Sequence, residues 1–207
     1  MVSIKNTLPF DDPVIEAIAS KFSLPELTKT KDVYLDLVEN IISQQLSGRV
    51  ASIIFKRFKE LFPNEYPDAK MLDDICIEKL RSVGLSNAKA QYVKNVAQFS
   101  LNEDISVNRI NKLSDNELIT LLTKIKGVGV WTVQMVLIFS LNRPDIFPID
   151  DLAIQQGMNN IYRLNSKGID LKKQLLAISE VWKPNRTLGT RYIWLHVNNI
   201  KEMNTRY

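Results

Sequence analysis

Cysteine and histidine are all but missing from this chain. Cys76 is the single cysteine and His196 the single histidine among 207 residues. One cysteine closes no intramolecular disulfide, builds no zinc ribbon and ligates no cluster, so the composition points to a reducing compartment. One histidine excludes His-rich metal sites and any His–His acid–base pair. No apolar run approaches the length needed to span a bilayer. The opening "MVSIKNTLPFDDP" lacks both the charged start and the apolar stretch of a secretory signal. The expectation is a soluble intracellular protein with no membrane partner. Low-complexity linkers, repeats of solenoid period and convincing strand alternation are missing as well.

Helical patterning is what the sequence has in quantity. A 45% hydrophobic content is enough for a full core, and 24% charged residues is an ordinary share that argues against global disorder. The net charge of +4 mildly favours an anionic partner. Val38, Ile41, Ile42 and Gln45 fall on one helical face, and Val50, Ile53, Ile54, Phe58 and Leu61 continue after Gly48. Leu118, Leu121, Leu122 and Ile125 form another stripe. It opens with the capping box "SDNE" at 114–117, with Leu113 and Leu118 placed as a hydrophobic staple. The segment from Val130 to Leu141 is apolar nearly all round, which predicts a buried central helix. Residues 12–22, 86–99, 170–182 and the stretch from about Arg186 also read as helices. The predicted fold is an all-α globule of about ten helices.

Two short stretches carry candidate chemistry. In "LLTKIKGVGVWT" the first helix ends at Gly127, a residue free to take positive φ, and Gly129 removes the side chain that would block a ligand. The N–H groups of both glycines lie beside the start of the next helix, where an anion is favoured, and Lys124 and Lys126 add positive charge. The carbonyls of Thr123, Ile125 and Val128 are placed to hold a monovalent cation that bridges to a phosphate. A plain αα-hairpin is the alternative reading. Further on, in "RPDIFPIDDLAIQQG", Pro148 blocks helix continuation, and Asp150 and Asp151 stand where a new helix starts. Either is suited to cap it. Facing a cleft, such a carboxylate also stabilises a developing cation, as cleavage of an N-glycosidic bond generates.

In order and spacing, "GVGVWT", "RPDIFPIDDLAI" and "WKPNRTLGTRYIW" resemble the core of the HhH-GPD superfamily of DNA base-excision glycosylases, nearest the 3-methyladenine DNA glycosylase II (AlkA-like) branch. "DDPVIEAIASKF", "IISQQLSGRVASIIFKRF" and "VGLSNAKAQYV" extend the resemblance from about Asp12 to about Val197. It implies a single glycosylase unit over residues 1–207, with two helical lobes, a cleft between them and a helix-hairpin-helix over about 114–141. The helical match begins near residue 12, so no additional amino-terminal β domain is expected. The implied activity is base-excision repair. Alkylated bases such as 3-methyladenine and 7-methylguanine are flipped from double-stranded DNA, and their N-glycosidic bonds are hydrolysed.

The resemblance also implies roles for individual residues. Asp151, second of the pair, matches the essential aspartate, with Asp150 in support. Trp131 and Trp194 match aromatic walls of the base pocket, where tryptophan faces attract cationic alkylated bases; apart from the resemblance, both suit an ordinary core. Arg186 matches a basic position of structural or phosphate-directed role. Gly127, Gly129 and Lys126 match the phosphate grip. Gln45 matches the residue inserted into the duplex, which is leucine in the best-known relative, and Leu46 is the rival wedge. Bifunctional relatives carry a catalytic lysine at the position of Trp131, so the implied enzyme is monofunctional, without lyase activity. No cofactor is required, an iron–sulfur cluster is excluded, and a structural Na+ or K+ belongs at the hairpin. The default oligomeric state is a monomer. Two alternatives stand: a glycosylase for deaminated or oxidised bases, and a non-catalytic helix-hairpin-helix DNA-binding module with no need of Asp151.

Overall fold

The computed structural model describes residues 8–204, with side chains up to residue 200. Twelve α-helices and no strand occur among the described residues, against the ten or so expected. None of these helices is long and apolar enough to cross a membrane. The chain forms two compact units: one takes residues up to Leu27 together with those from Asn142 onward, the other Thr28–Leu141.

The first unit begins with α1 (Pro13–Ala19). Asp12 caps it, accepting the Val14 and Ile15 N–H groups at 2.9 and 3.1 Å through Oδ1. This carboxylate is only 5% exposed. Its Oδ2 accepts the Trp182 indole N–H and the Tyr162 hydroxyl, both at 2.7 Å. Trp182 is fully buried, with its ring 6.2 Å from Phe10 and edge-on to Phe147 at 5.8 Å. Ile15, Ile18, Ile154, Met158, Leu175 and Ile193 complete the centre of this core.

The second unit follows with α2 (Val33–Ser43), α3 (Gly48–Lys59), α4 (Ala69–Asp74), α5 (Ile77–Ser82), α6 (Asn87–Asn102), α7 (Val107–Ile110), α8 (Asp115–Leu122) and α9 (Val130–Met135). The patterned segments form helices, but Gln45 lies past the end of α2, and of the stripe continued in α3 only Phe58 is fully buried while Val50 and Ile53 are exposed. The "SDNE" box forms in both directions: Ser114 N–H donates to Glu117 Oε2 at 2.7 Å, and Glu117 N–H donates to Ser114 Oγ at 3.3 Å. The short α4, α5 and α7 have no signal in the sequence, because four to six residues carry too little periodicity. From α9 the chain runs directly into a π-helical turn, Val136–Ser140. The expectation of burial all round fails here: Val133, Val136, Leu137 and Ile138 are buried, whereas Val130, Trp131 and Phe139 are exposed.

The chain then returns to the first unit with α10 (Leu152–Ile161), α11 (Gly168–Glu180) and α12 (Arg186–Asn204).

Candidate functional site

The segment leading to the aspartate pair is irregular, so its backbone groups need partners from elsewhere. The start of α12 supplies them. Arg186 lays its guanidinium along Asp145, Nε to Oδ1 at 2.7 Å and Nη2 to Oδ2 at 2.8 Å, and its backbone N–H donates to the same carboxylate at 3.2 Å. Burial works to raise the Asp145 pKa; the Arg186 hydrogen bonds and charge outweigh it and hold this carboxyl below its ordinary value. The Thr187 hydroxyl donates to the Arg143 carbonyl at 2.6 Å and accepts the Ile146 N–H at 3.0 Å. Arg186, expected in a structural or a phosphate-directed role, is thus part of the brace under this loop.

Past Pro148, whose carbonyl accepts the Asp151 N–H at 3.0 Å, the two aspartates separate in use. Asp151 is the cap of α10: its Oδ1 accepts the Ile154 N–H at 2.9 Å. The same oxygen accepts the Trp194 indole N–H at 3.1 Å. Two donors from two helices therefore fix one carboxylate in a half-buried position, with the indole edge of Trp194 turned toward it. Asp150 is exposed and is not the helix cap; it pairs instead with Lys172 of α11.

In the second unit, α8 and α9 are joined by the glycine turn. Gly127 has φ +104°, and a Cβ there would lie 2.2 Å from Cγ of Tyr92, so both conformation and space demand glycine. The turn is tied to α6 a second time by Asn95, whose side-chain amide donates to the Lys126 carbonyl at 2.8 Å. Gly129 differs: it is exposed at φ −92°, caps α9, and a Cβ on it would enter open space. Lys124 and Lys126 are exposed on either side, and Trp131, 37% exposed, sits in the first turn of α9. Of the three carbonyls expected to face a cation, that of Ile125 accepts the Val128 N–H at 2.9 Å. A carbonyl oxygen has two lone pairs, so this bond leaves the neutral oxygen donors of Thr123, Ile125 and Val128 compatible with a monovalent ion.

The turn between α2 and α3 presents Gln45 exposed and in the left-handed region, φ 58°, an unfavourable conformation for a residue with a side chain. Leu46 is half-buried, its N–H bonded to the Ser43 carbonyl at 3.2 Å. The Gln44 side-chain amide donates to the Thr132 hydroxyl at 3.1 Å. Lys89, which no motif singled out, donates to the carbonyls of Ile42 and Gln44 at 2.8 and 2.6 Å. Burial keeps its ammonium pKa below the ordinary value.

The sites thus fall into two groups: Asp150, Asp151, Arg186 and Trp194 in the first unit, and Gln45, Leu46, Trp131 and the glycine turn in the second. Asp12, Lys89, Thr132 and Asp145 were missed. Only a partner distant in sequence gives each its meaning.

Comparison with known proteins fits these features. Residues 38–184 match the model of the HhH-GPD superfamily base excision DNA repair proteins. The chain is 39% identical over 166 residues to DNA-3-methyladenine glycosylase 1 of Schizosaccharomyces pombe, covering 79% of this chain and 72% of that protein. Among solved structures, S. pombe 3-methyladenine DNA glycosylase (Mag1) in complex with abasic DNA superposes with a TM-score of 0.77 at 35% identity, covering 87% of each chain. A DNA-3-methyladenine glycosidase from Bacillus halodurans does so with a TM-score of 0.78 at 27% identity, over 92% of this chain and 87% of that one. With the helix-hairpin-helix, the capped aspartate and a family match across most of its length, this chain belongs to the HhH-GPD superfamily of base excision DNA repair proteins.

Proposed function

We propose that the protein is a monofunctional DNA glycosylase that releases alkylated bases, 3-methyladenine and 7-methylguanine among them, from double-stranded DNA. The observation that carries this reading is the fixed Asp151 carboxylate, held by the Ile154 N–H and the Trp194 indole. Its relatives include proteins named as 3-methyladenine DNA glycosylases.

The glycine turn grips a phosphate through backbone N–H groups at Gly127 and Gly129, assisted by Lys126. Thr123, Ile125 and Val128 would hold a Na+ or K+, which adds positive charge next to that phosphate. Gln45 fills the gap in the stack, with half-buried Leu46 as the rival wedge. Trp131 offers an exposed aromatic face, and a base carrying positive charge is drawn to such a face by about 0.5 to 2 kcal/mol.

The chemistry asks little of an acid. An N-methylated purine cation leaves C1′ with the electron pair of the glycosidic bond and becomes neutral. Asp151 stabilises the positive charge that develops on the sugar, water adds at C1′, and the proton shed by that water completes the hydrolysis. Because two donors already fix Asp151, no reorganisation is needed as charge develops. Trp131 has no amine to form a Schiff base with the abasic sugar, so strand cleavage does not follow.

The test is incubation of the protein with duplex DNA treated with a methylating agent, reading free bases by chromatography and strand breaks with and without alkali. Free 3-methyladenine and 7-methylguanine with breaks only after alkali are expected. Breaks without alkali overturn the monofunctional reading, and no free base overturns the substrate class.

A further inference from the structure

We infer that Lys89 and Gln44 are positioning residues that hold the Gln45 turn in its outward conformation, and that base flipping depends on them. The inference rests on the reading of Gln45 as the residue inserted into DNA. Every contact it uses lies within the second unit.

A helix C-terminus leaves carbonyl groups without intrahelical donors. At the end of α2 two of them, on Ile42 and Gln44, are taken by one ammonium, that of Lys89 from the first turn of α6. The next residue, Gln45, stands at φ 58°, a conformation that a residue with a side chain holds only when its surroundings impose it. The Gln44 amide reaches α9 and donates to Thr132, which is 3% exposed and directly follows Trp131. The turn is therefore tied at adjoining backbone and side-chain positions to two helices, one of which presents Trp131. A helix end that needed only closure would be served by water or by a glycine in the left-handed position. Here an ammonium and a buried hydroxyl are spent on a turn whose exposed tip is a glutamine.

The consequence is kinetic. Released from Lys89, the turn relaxes toward ordinary backbone conformations, and Gln45 spends less time aimed outward. The phosphate grip is built from Gly127, Gly129 and Lys126, which Lys89 does not touch in sequence or through these bonds, so affinity for undamaged duplex stays as it was.

The test uses the full chain and a duplex carrying 2-aminopurine beside a non-cleavable abasic-site analogue, whose fluorescence rises when the stack opens. Stopped-flow traces are compared for wild type, Lys89→Met, Lys89→Arg, Gln44→Leu, Gln45→Ala and Lys89→Met/Gln45→Ala. All are run well below the thermal midpoint of each variant. Loss of hydrogen bonds to a charged group predicts opening about tenfold slower in Lys89→Met, with undamaged-duplex affinity within about twofold. Lys89→Arg recovers most of the rate, since its guanidinium has donors for both carbonyls. In the Gln45→Ala background Lys89→Met has no further effect, because both act through one side chain. Wild-type opening rates in Lys89→Met overturn the inference, as does an additive slowing in the double variant, which would mark Lys89 as a general stabiliser. If Gln45→Ala opens DNA at the wild-type rate, the insertion reading falls and this inference with it. Glycosidic hydrolysis at Asp151 is judged separately, by base release.

Discussion

Replacing Asp12 by alanine removes one small carboxylate and four hydrogen bonds from the unit that carries Asp151. The loss of the α1 cap is worth about 1 kcal/mol. The heavier consequence is the orphaning of two donors, the indole N–H of fully buried Trp182 and the hydroxyl of Tyr162, each at about 1 to 3 kcal/mol. The sum is about 3 to 7 kcal/mol, against a whole-domain stability of about 5 to 15. Other replacements divide this figure. Serine restores the cap alone and regains about 1 kcal/mol. Asparagine keeps one acceptor oxygen but must turn its NH2 toward either the backbone donors or the side-chain donors, so it still loses about 2 to 3 kcal/mol. Urea unfolding followed by circular dichroism and tryptophan fluorescence measures all three, with midpoints compared at constant slope. The expected order of stability is wild type, asparagine, serine, alanine. An alanine variant within about 1 kcal/mol of wild type would refute the claim that this buried carboxylate organises the first unit.

Gly127→Ala must adopt an unfavourable φ and meets the Tyr92 ring, so it loses about 2 to 5 kcal/mol in thermal unfolding. Gly129→Ala has open space and an ordinary φ; it keeps stability within about 1 kcal/mol yet weakens binding to a labelled duplex, measured by anisotropy. Gln45→Gly removes left-handed strain at the expense of chain entropy, so its melting temperature equals or exceeds that of wild type while base flipping slows. Burial first, then Asp12 or Asp32, raises the phenol pKa of Tyr162 and of Tyr66, the latter to about 12. Phenols raised in the folded state contribute stability fully present below pH 10.0, their unfolded value, and lost as pH rises beyond it; urea midpoints should fall above that pH, less steeply in Tyr162→Phe.

What could be read from the sequence was local. The Ser114–Glu117 box, the stripe of α8 and the need for glycine at 127 are written in neighbouring residues, and they fold as read; α2 and α3 form too, but Gln45 lies past the end of α2, and Val50 and Ile53 of the α3 stripe are exposed. Asp151 was legible as a helix cap because Pro148 announces the start of α10. Contacts across long separations were not legible. Asp12 reads as one more cap until Trp182, 170 positions on, is brought to it. Lys89 reads as surface charge until α6 sets it against the end of α2. The apolar run from α9 into the π-helical turn misled in the other direction: its composition fits burial, and yet Trp131 and Phe139 remain exposed. Hydrophobicity registers the preference of a side chain, and only the packed helices decide which faces are covered.

In the proposed reaction Asp151 carries the hydrolysis. Asparagine at this position retains an oxygen to cap α10 and to accept the Trp194 N–H, so the fold is preserved to within about 1 kcal/mol. Only the negative charge is removed. Single-turnover release of 3-methyladenine from methylated duplex, measured for wild type and Asp151→Asn at matched DNA occupancy, isolates that charge. A fall of at least about a hundredfold in the rate of base release, with DNA affinity unchanged, is predicted. Release by Asp151→Asn at the wild-type rate would remove Asp151 from the hydrolysis.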